Sequence, residues 1–472
     1  MSDTARYDAI VIGAGLGGML AAAILARRGR RVLVLEREAQ VGGRLRSYEV
    51  DGYVIDAGAY LWPNLHLDRA LAAAGADGFR AAQIPPAQVL RVFVQGQNGR
   101  RFPFPWPGRG DAPALVDAAA ATLRADADVA RALAALWERL AALSDDAVAA
   151  LRHVPVREAL PRFTSDARVA DALRRNLMLF GSYDPDSAAM AECIGLRRRR
   201  LDGPQPKPEC AGANPMGGVR ALPLALRDAL GAAAAEVRLG WEVDQIAIEG
   251  GRAVGVVAHP RGEPFQQRLA ADAVICNAPV WRLFDLLAEQ HFPPQFVADA
   301  RRCGVVGGVI AAAFAFDGLP SLRETGEPDA FPGWTRLLTG PDAAFGGGML
   351  WATLHSPRNA PPGRHVLQAM RLSPHADIAD ARRADAVHGA FRAMLDEIYV
   401  DARARLVREW SWVTRDGSEY MIHCAPKPPV QSSGVGGLFF VGESTDVPAI
   451  QMDAAALSAL QCAELLLGDA VV

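Results

Sequence analysis

The sequence predicts an α/β protein in which a Rossmann-type nucleotide-binding domain is interleaved with an α+β domain. Three observations carry the prediction. The N-terminus orders a strand, a glycine-rich turn and a helix; two later segments, near residues 214–279 and 437–467, again join apolar strands to glycine turns and helices; and the long stretches between them lose that pattern. The nucleotide-binding domain therefore falls into three pieces, 1–84, 211–299 and 431–472, and the inserted domain into two, a mostly helical 85–210 and a mixed 300–430. With 472 residues and 50% hydrophobic content, the chain can bury a large core.

Asp8 to Ile12 is a short apolar strand, Gly13-Ala14-Gly15-Leu16-Gly17-Gly18 is a G-x-G-x-x-G turn, and Met19 to Arg28 continues as an alanine-rich helix. Gly13 permits the tight turn, Gly15 lets backbone approach a pyrophosphate, and Gly18 lets helix pack on strand. A diphosphate would thus meet the helix N-terminus. A second strand, Arg31 to Leu35, ends on Glu36 at about the 20-residue spacing where a carboxylate takes the ribose hydroxyls of an adenosine. Arg37 beside it is a further candidate contact.

Val41-Gly42-Gly43-Arg44-Leu45-Arg46-Ser47 follows at once, then Asp51 to Ala59. Gly42, Gly43 and Arg44 would bring backbone amides and a guanidinium to a diphosphate, a bidentate match that lysine makes less well. The turn Asp56-Ala57-Gly58-Ala59 would let backbone run close beside an isoalloxazine ring. On these motifs the chain resembles the FAD-dependent amine oxidase superfamily, specifically its phytoene desaturase, carotenoid isomerase and retinol saturase branch. The resemblance implies FAD as cofactor and the two-domain fold shared with GDI-like proteins.

In the middle of the chain, Asn214 to Val219 is a glycine turn feeding the helix Ala221 to Leu230. Trp241 to Glu249 and Ala253 to His259 read as strands around a Gly250-Gly251 hairpin, and Asp272 to Pro279 as an apolar strand ending in a turn. By the resemblance, a backbone group at Val243 meets adenine. The C-terminal Gly437 to Glu443 resembles the second flavin motif of the family, with Gly442 and Glu443 at ribityl or pyrophosphate groups. The helix from Met452 to Leu467 would direct its positive N-terminal end at the flavin pyrimidine edge, which adds Gln451, Met452 and Asp453 to the cofactor candidates. A plain helix-capping role for Asp453 is the other reading.

In the inserted domain, Ala112 to Leu151 and Ser165 to Phe180 have helical patterning; Val305 to Phe316 reads as a strand, Gly346 to Gly348 as a turn, and Asp377 to Ile398 as a helix. Arg197 to Arg200 reads either as a solvated turn or as a contact for anionic lipid.

Composition narrows the function classes. Fifty basic against 53 acidic residues leave a net charge of −3, which gives no field to recruit nucleic acid. The six cysteines have neither metal-ligand nor disulfide-framework spacing, so reduced structural thiols and no metal site are expected. The N-terminus carries no basic signal-peptide region, and no run of 18 apolar residues occurs. A cytoplasmic protein is expected, with contact to a membrane surface left open.

No hydrolytic triad or phosphate-binding loop stands out, so the flavin must carry the chemistry and the protein must orient substrate. A second dinucleotide fingerprint is absent, which points to reoxidation by an external acceptor such as oxygen or a quinone. The family's amine oxidases often place a lysine in the stretch that corresponds to Cys303 to Ile310; here that stretch has none, and the only lysines are Lys207 and Lys427. Tyr60, Trp62, Trp412 and Tyr420 are the candidate pocket walls, with Trp410 beside them, or else ordinary core aromatics. His423 and Cys424 lie where a covalent attachment is imaginable, but a free cysteine is more often a small buried hydrophobe, so FAD is expected to bind non-covalently. The resemblance implies hydride transfer between flavin N5 and an apolar, unsaturated substrate. The alternatives are an amine or amino-acid oxidase, and a non-catalytic binding protein similar to Rab GDP-dissociation inhibitors.

Overall fold

The computed structural model describes residues 6–57, 66–76, 78–84, 90–94, 100–102, 126–179, 185–202, 212–302, 307–338, 347–414, 427–432, 434–449 and 451–471. The first strand, Tyr7–Ile12, is apolar and almost wholly buried, as a central parallel strand must be. It pairs in parallel with Val32–Glu36 on one side and Gln267–Cys276 on the other. Glu236–Leu239 extends the sheet beyond the former and Leu438–Phe440 beyond the latter, so segments from the start, middle and end of the chain share one parallel sheet. The first half of Gln267–Cys276 also joins an antiparallel meander with Arg252–Pro260 and Trp241–Glu249. Gly250 and Gly251 close that hairpin at φ +55° and +76°, the left-handed pair its turn requires.

The helix Leu16–Arg27 is buried from Leu16 to Ala26. A helix apolar on all sides needs cover on all sides. The sheet supplies one, and the helices Gln451–Leu467, Ala221–Ala232 and Leu67–Ala74 supply the rest.

A second seven-stranded sheet runs in the order Leu406–Thr414, Gly307–Asp317, Arg364–Pro374, Gly347–Trp351, Trp334–Leu338, Leu90–Val94, Arg100–Phe102. One face is covered by the helix Ala381–Ile398, which sets Val387 and Phe391 against Ile310, Ala312 and Phe314. The other face meets the Ser47–Val50/Tyr53–Asp56 hairpin, with Tyr53 and Ile55 packed among Ala313, Ala315 and Val366. A buried polar network stabilises one end. Arg91 donates to both Asp329 oxygens at 2.8 and 2.7 Å, and Asp329 also accepts from Trp351 Nε1 at 3.0 Å and the Tyr399 hydroxyl at 2.6 Å. Burial alone would raise the Asp329 carboxyl; the Arg91 guanidinium, Tyr399 and Trp351 outweigh it and hold it below its ordinary range.

Several sequence expectations change here. In the first inserted piece, Leu90–Val94 and Arg100–Phe102 are strands of the second sheet, and among the described residues its longer helices are Ala127–Ala141, Ala167–Leu179 and Met190–Asp202. Gly347 and Gly348 open a strand rather than a turn, since neighbouring strands on both sides supply ladder partners that outweigh glycine's poor strand preference. The helix expected over 377–398 is broken at Asp380, whose carboxylate accepts from the amides of Arg382 and Arg383 and starts a new helix. The arginine run is helical, and its first two members are absorbed by the fold. Arg197 is buried, with its guanidinium 6.0 Å from the Trp137 ring centroid, and Arg198 donates to the carbonyls of Ala141 and Leu143 and pairs with Asp145. Cys193, Cys276 and Cys462 are buried and free, and burial pushes the Cys276 thiol up to about 11. Among the described residues no helix is long and apolar enough to cross a membrane, and no cluster of metal-ligating side chains occurs.

Candidate cofactor and substrate site

The C-terminal ends of the parallel strands converge on one cradle. At the end of Val32–Glu36 the buried Glu36 carboxylate accepts the Ala14 amide at 2.7 Å and the Glu38 amide at 2.9 Å, which fixes it against the glycine turn. Arg37 is half-exposed and lies 3.4 Å from Glu38. The helix Leu16–Arg27 starts at Gly15 with no side-chain cap, so its first amides remain available to an anion. The Gly42 amide donates to Ala14 O at 2.8 Å, which stitches the second glycine motif to the first.

The glycines here are demanded by contact. A Cβ on Gly15 would stand 2.5 Å from Asn277 Nδ2, and one on Gly17 would stand 2.7 Å from the Gly442 amide nitrogen. Gly42, at φ +112°, would drive a Cβ to 2.6 Å from Leu45 O. Gly13, Gly18 and Gly43 complete the same surface.

Arg44 crosses this cradle to pair with Glu443, joining the early motif to the late one. Glu443 is buried, and among the described residues its Oε1 has no hydrogen-bond partner. Gly442 donates its amide to Ser458 Oγ at 2.9 Å, which ties the late turn to the helix Gln451–Leu467. Gln451 opens that helix at φ +52°, with Met452 buried behind it. Asp453 lies in the first turn of that helix. Its Oδ1 accepts from His66 N at 3.0 Å and Leu67 N at 3.3 Å, and so caps Leu67–Ala74. Val243 lies on the edge strand, where a register shift before Gln245 interrupts the ladder and loosens the backbone pairing there.

A match to the profile of flavin containing amine oxidoreductases spans residues 16–467. The chain belongs to that family. It takes FAD. Over 107 residues the flavoprotein is 44% identical to all-trans-retinol 13,14-reductase of Rattus norvegicus, and over 54 residues 52% identical to the chloroplastic prolycopene isomerase of Daucus carota. These matches cover 21% and 11% of this chain and only 17% and 9% of the relatives. The fold of a cofactor-redesigned triple mutant of putrescine oxidase superposes over 98% of this chain and 99% of that one, at a TM-score of 0.68 and 18% identity.

Two features of the flavoprotein's site escaped the sequence reading. Asn277 sits at the end of its strand, donating its amide to Ile12 O at 2.9 Å; the signal was its place at a parallel-strand terminus, where ligands collect in such sheets. Asp56, just before the turn expected beside the ring, accepts from Ser47 Oγ at 2.5 Å and Val219 N at 3.0 Å. Burial pushes its carboxyl up to about 6 against the opposing pull of Ser47, Val219 and Arg220. Of the expected pocket aromatics, Trp412 is described and packs with Trp410 on the sheet face toward Tyr53. Gly58, Ala59, Tyr60, Trp62, Tyr420, His423 and Cys424 lie outside the described residues.

Proposed function

We propose that this flavoprotein transfers hydride between flavin N5 and a carbon of an apolar, unsaturated substrate, polyene, isoprenoid or enone-like, as a desaturase, isomerase or saturase. The observation that carries the reading is the second-sheet face toward Tyr53–Asp56. Ala311, Ala313, Val366, Met370, Trp410 and Trp412 line it together with Gln368, and none of these can titrate as the lysine of an amine oxidase would. The short stretches of likeness to a retinol reductase and a carotenoid isomerase support the same reading.

The chain's groups fit FAD. Glu36, locked by two amides, would take the adenosine ribose, with Arg37 at its margin and the backbone of Val243 at adenine. The Gly13 to Gly18 turn and the uncapped helix start would hold the diphosphate from one side, and Gly42, Gly43 and Arg44 from the other. Glu443 keeps one carboxylate oxygen on Arg44 and offers its second, buried and unpartnered, to a ribityl hydroxyl. Gly58 and Ala59 would run beside the ring, with Gly442, Gln451 and Met452 at its pyrimidine side. When bound, the flavin supplies the two-electron chemistry; in the desaturating direction an external acceptor such as oxygen or a quinone takes the electrons on, and in the saturating direction an external reductant supplies them. Tyr60, Trp62, Trp412 and Tyr420 would wall the substrate, so orientation rather than acid or base catalysis supplies most of the rate.

Anaerobic addition of polyene, enone and amine panels to holoenzyme, followed by flavin absorbance, tests the reading. Polyenes that give up hydride should bleach the oxidised flavin, and polyenes or enones that accept it should restore colour to flavin reduced beforehand with dithionite. Bleaching by amines alone, with peroxide formed on admission of air, would select the amine oxidase instead.

A further inference from the structure

The register of the second sheet places three alanines in a row on the face toward Tyr53–Asp56. Ala311 lies between Trp412 and Met370, Ala313 between Trp410 and Gln368, and Ala315 between Arg408 and Val366. Strand alternation puts these side chains on one face. The packing agrees: Ala313, Ala315, Val366, Trp410 and Trp412 share a cluster with Tyr53 and Ile55, while Ile310, Ala312, Phe314, Leu367 and Ala369 belong to the opposite side. An alanine floor thus runs between a tryptophan wall and a Gln368/Met370 wall. Two strand spacings set the walls about 10 Å apart.

Two polar groups on this apolar face have no partner. Gln368 is 1% exposed, and among the described residues neither its Oε1 nor its Nε2 makes a hydrogen bond; the buried Nε1 of Trp412 makes none either. An unpaired buried amide is costly, and methionine or leucine would fill the same volume without that cost. The same sheet shows that this fold can pair buried polar groups, since Arg91, Asp329, Trp351 and Tyr399 saturate one another on its other face.

We infer that Gln368 and Trp412 recognise an oxygen-bearing end of the substrate, so that the substrate is an apolar chain carrying a hydroxyl or an uncharged carboxyl rather than a bare hydrocarbon. This rests on the proposed carbon-centred reading of the site. The carboxamide offers a donating NH2 group and an accepting oxygen, and the indole adds a donor from the opposite wall. A hydroxyl or neutral carboxyl both gives and takes a hydrogen bond; a hydrocarbon leaves all three groups unpaired. Gln368 is covered as it stands, so binding requires side chains packed on this face, where Tyr53 and Trp410 share a cluster, to yield.

The test uses FAD-loaded protein and three anaerobic probes of one skeleton: a C20 polyene alcohol, the corresponding carboxylic acid, and the hydrocarbon with methyl in place of the oxygenated carbon. Affinities are read from perturbation of the flavin spectrum, in wild type, Gln368→Met and Trp412→Phe, with the thermal midpoint of each protein measured alongside. Wild type should bind the alcohol or the acid about 10- to 100-fold more tightly than the hydrocarbon. Which of the two wins identifies the end group. Gln368→Met should level the three affinities while melting no lower than wild type, and Trp412→Phe should lose part of the preference. Equal binding of all three by wild type, or an undiminished preference in Gln368→Met, overturns the inference. Binding of none of them, with bleaching by amines, fells the carbon-centred reading and this inference with it.

Discussion

Replacing Asp56 by asparagine should remove a pH dependence that burial has built into the fold. The wild-type carboxyl titrates near 3.8 when unfolded and at about 6 when folded. The folded state therefore binds the proton more tightly, and the stability this contributes is complete below the unfolded value and lost as pH rises through about 6. The shift of about two units corresponds to about 3 kcal/mol over the whole window, at 1.36 kcal/mol per unit. Between about pH 5 and 7.5, linkage leaves roughly 1.4 kcal/mol to be lost. Asparagine stays neutral and still presents an acceptor to Ser47 Oγ and the Val219 amide. Denaturant titrations of both proteins, followed by tryptophan fluorescence at several pH values across that window, should show the wild-type midpoint falling relative to the variant as pH rises. A constant offset between the two curves, or a wild-type midpoint that rises relative to the variant as pH rises, would refute the burial argument.

The other predictions concern cofactor and core. Glu36→Ala and Arg44→Ala should each weaken FAD retention by about 1.5–3 kcal/mol with little change in circular dichroism; flavin-to-protein absorbance ratios equal to wild type in both would show that the cradle is assigned wrongly. Acid precipitation of holoenzyme should release yellow flavin to the supernatant, whereas colour kept on the pellet would point to covalent attachment at His423 or Cys424. Asp329→Ala leaves Arg91 charged and buried without its carboxylate and should destabilise the protein by about 3–5 kcal/mol, measured as a fall in unfolding midpoint; a shift within error would mean that the network contributes nothing.

What could be read in the sequence was local. The turn from Gly13 to Gly18, the spacing to Glu36 and the Gly42-Gly43-Arg44 run each lie within a few residues of what they organise, so their chemistry is visible in one dimension. Leu406–Thr414 and Arg364–Pro374 were missed because neither has clean alternation; what makes them strands is the long partner Gly307–Asp317 between them. Asn277 and Asp453 act across the whole chain, the first on glycines near residue 15 and the second on a helix start at Leu67. No periodicity records such a contact. Arginine misled for the opposite reason: four in a row suggest a solvated surface, yet Arg197 finds an aromatic ring and Arg198 finds the open carbonyls at a helix end.

The pairing of Arg44 with Glu443 sets a timetable for biosynthesis. At about 5–20 residues per second, some 400 residues of elongation separate the two, so the first glycine turn waits on the order of 20–80 s for its acidic partner. Through that interval Tyr7–Ile12 and Leu16–Arg27 are made, but the helix Gln451–Leu467 that covers the latter and the strand Leu438–Phe440 that extends the sheet are still to come. An unfinished chain exposes apolar helix surface and an open strand edge, both invitations to misassembly. Nonsense or frameshift lesions anywhere before residue 443 should therefore yield products that chaperones retain and proteases clear, and cofactor supplied during translation can lock the nucleotide-binding half only after Glu443 has left the ribosome.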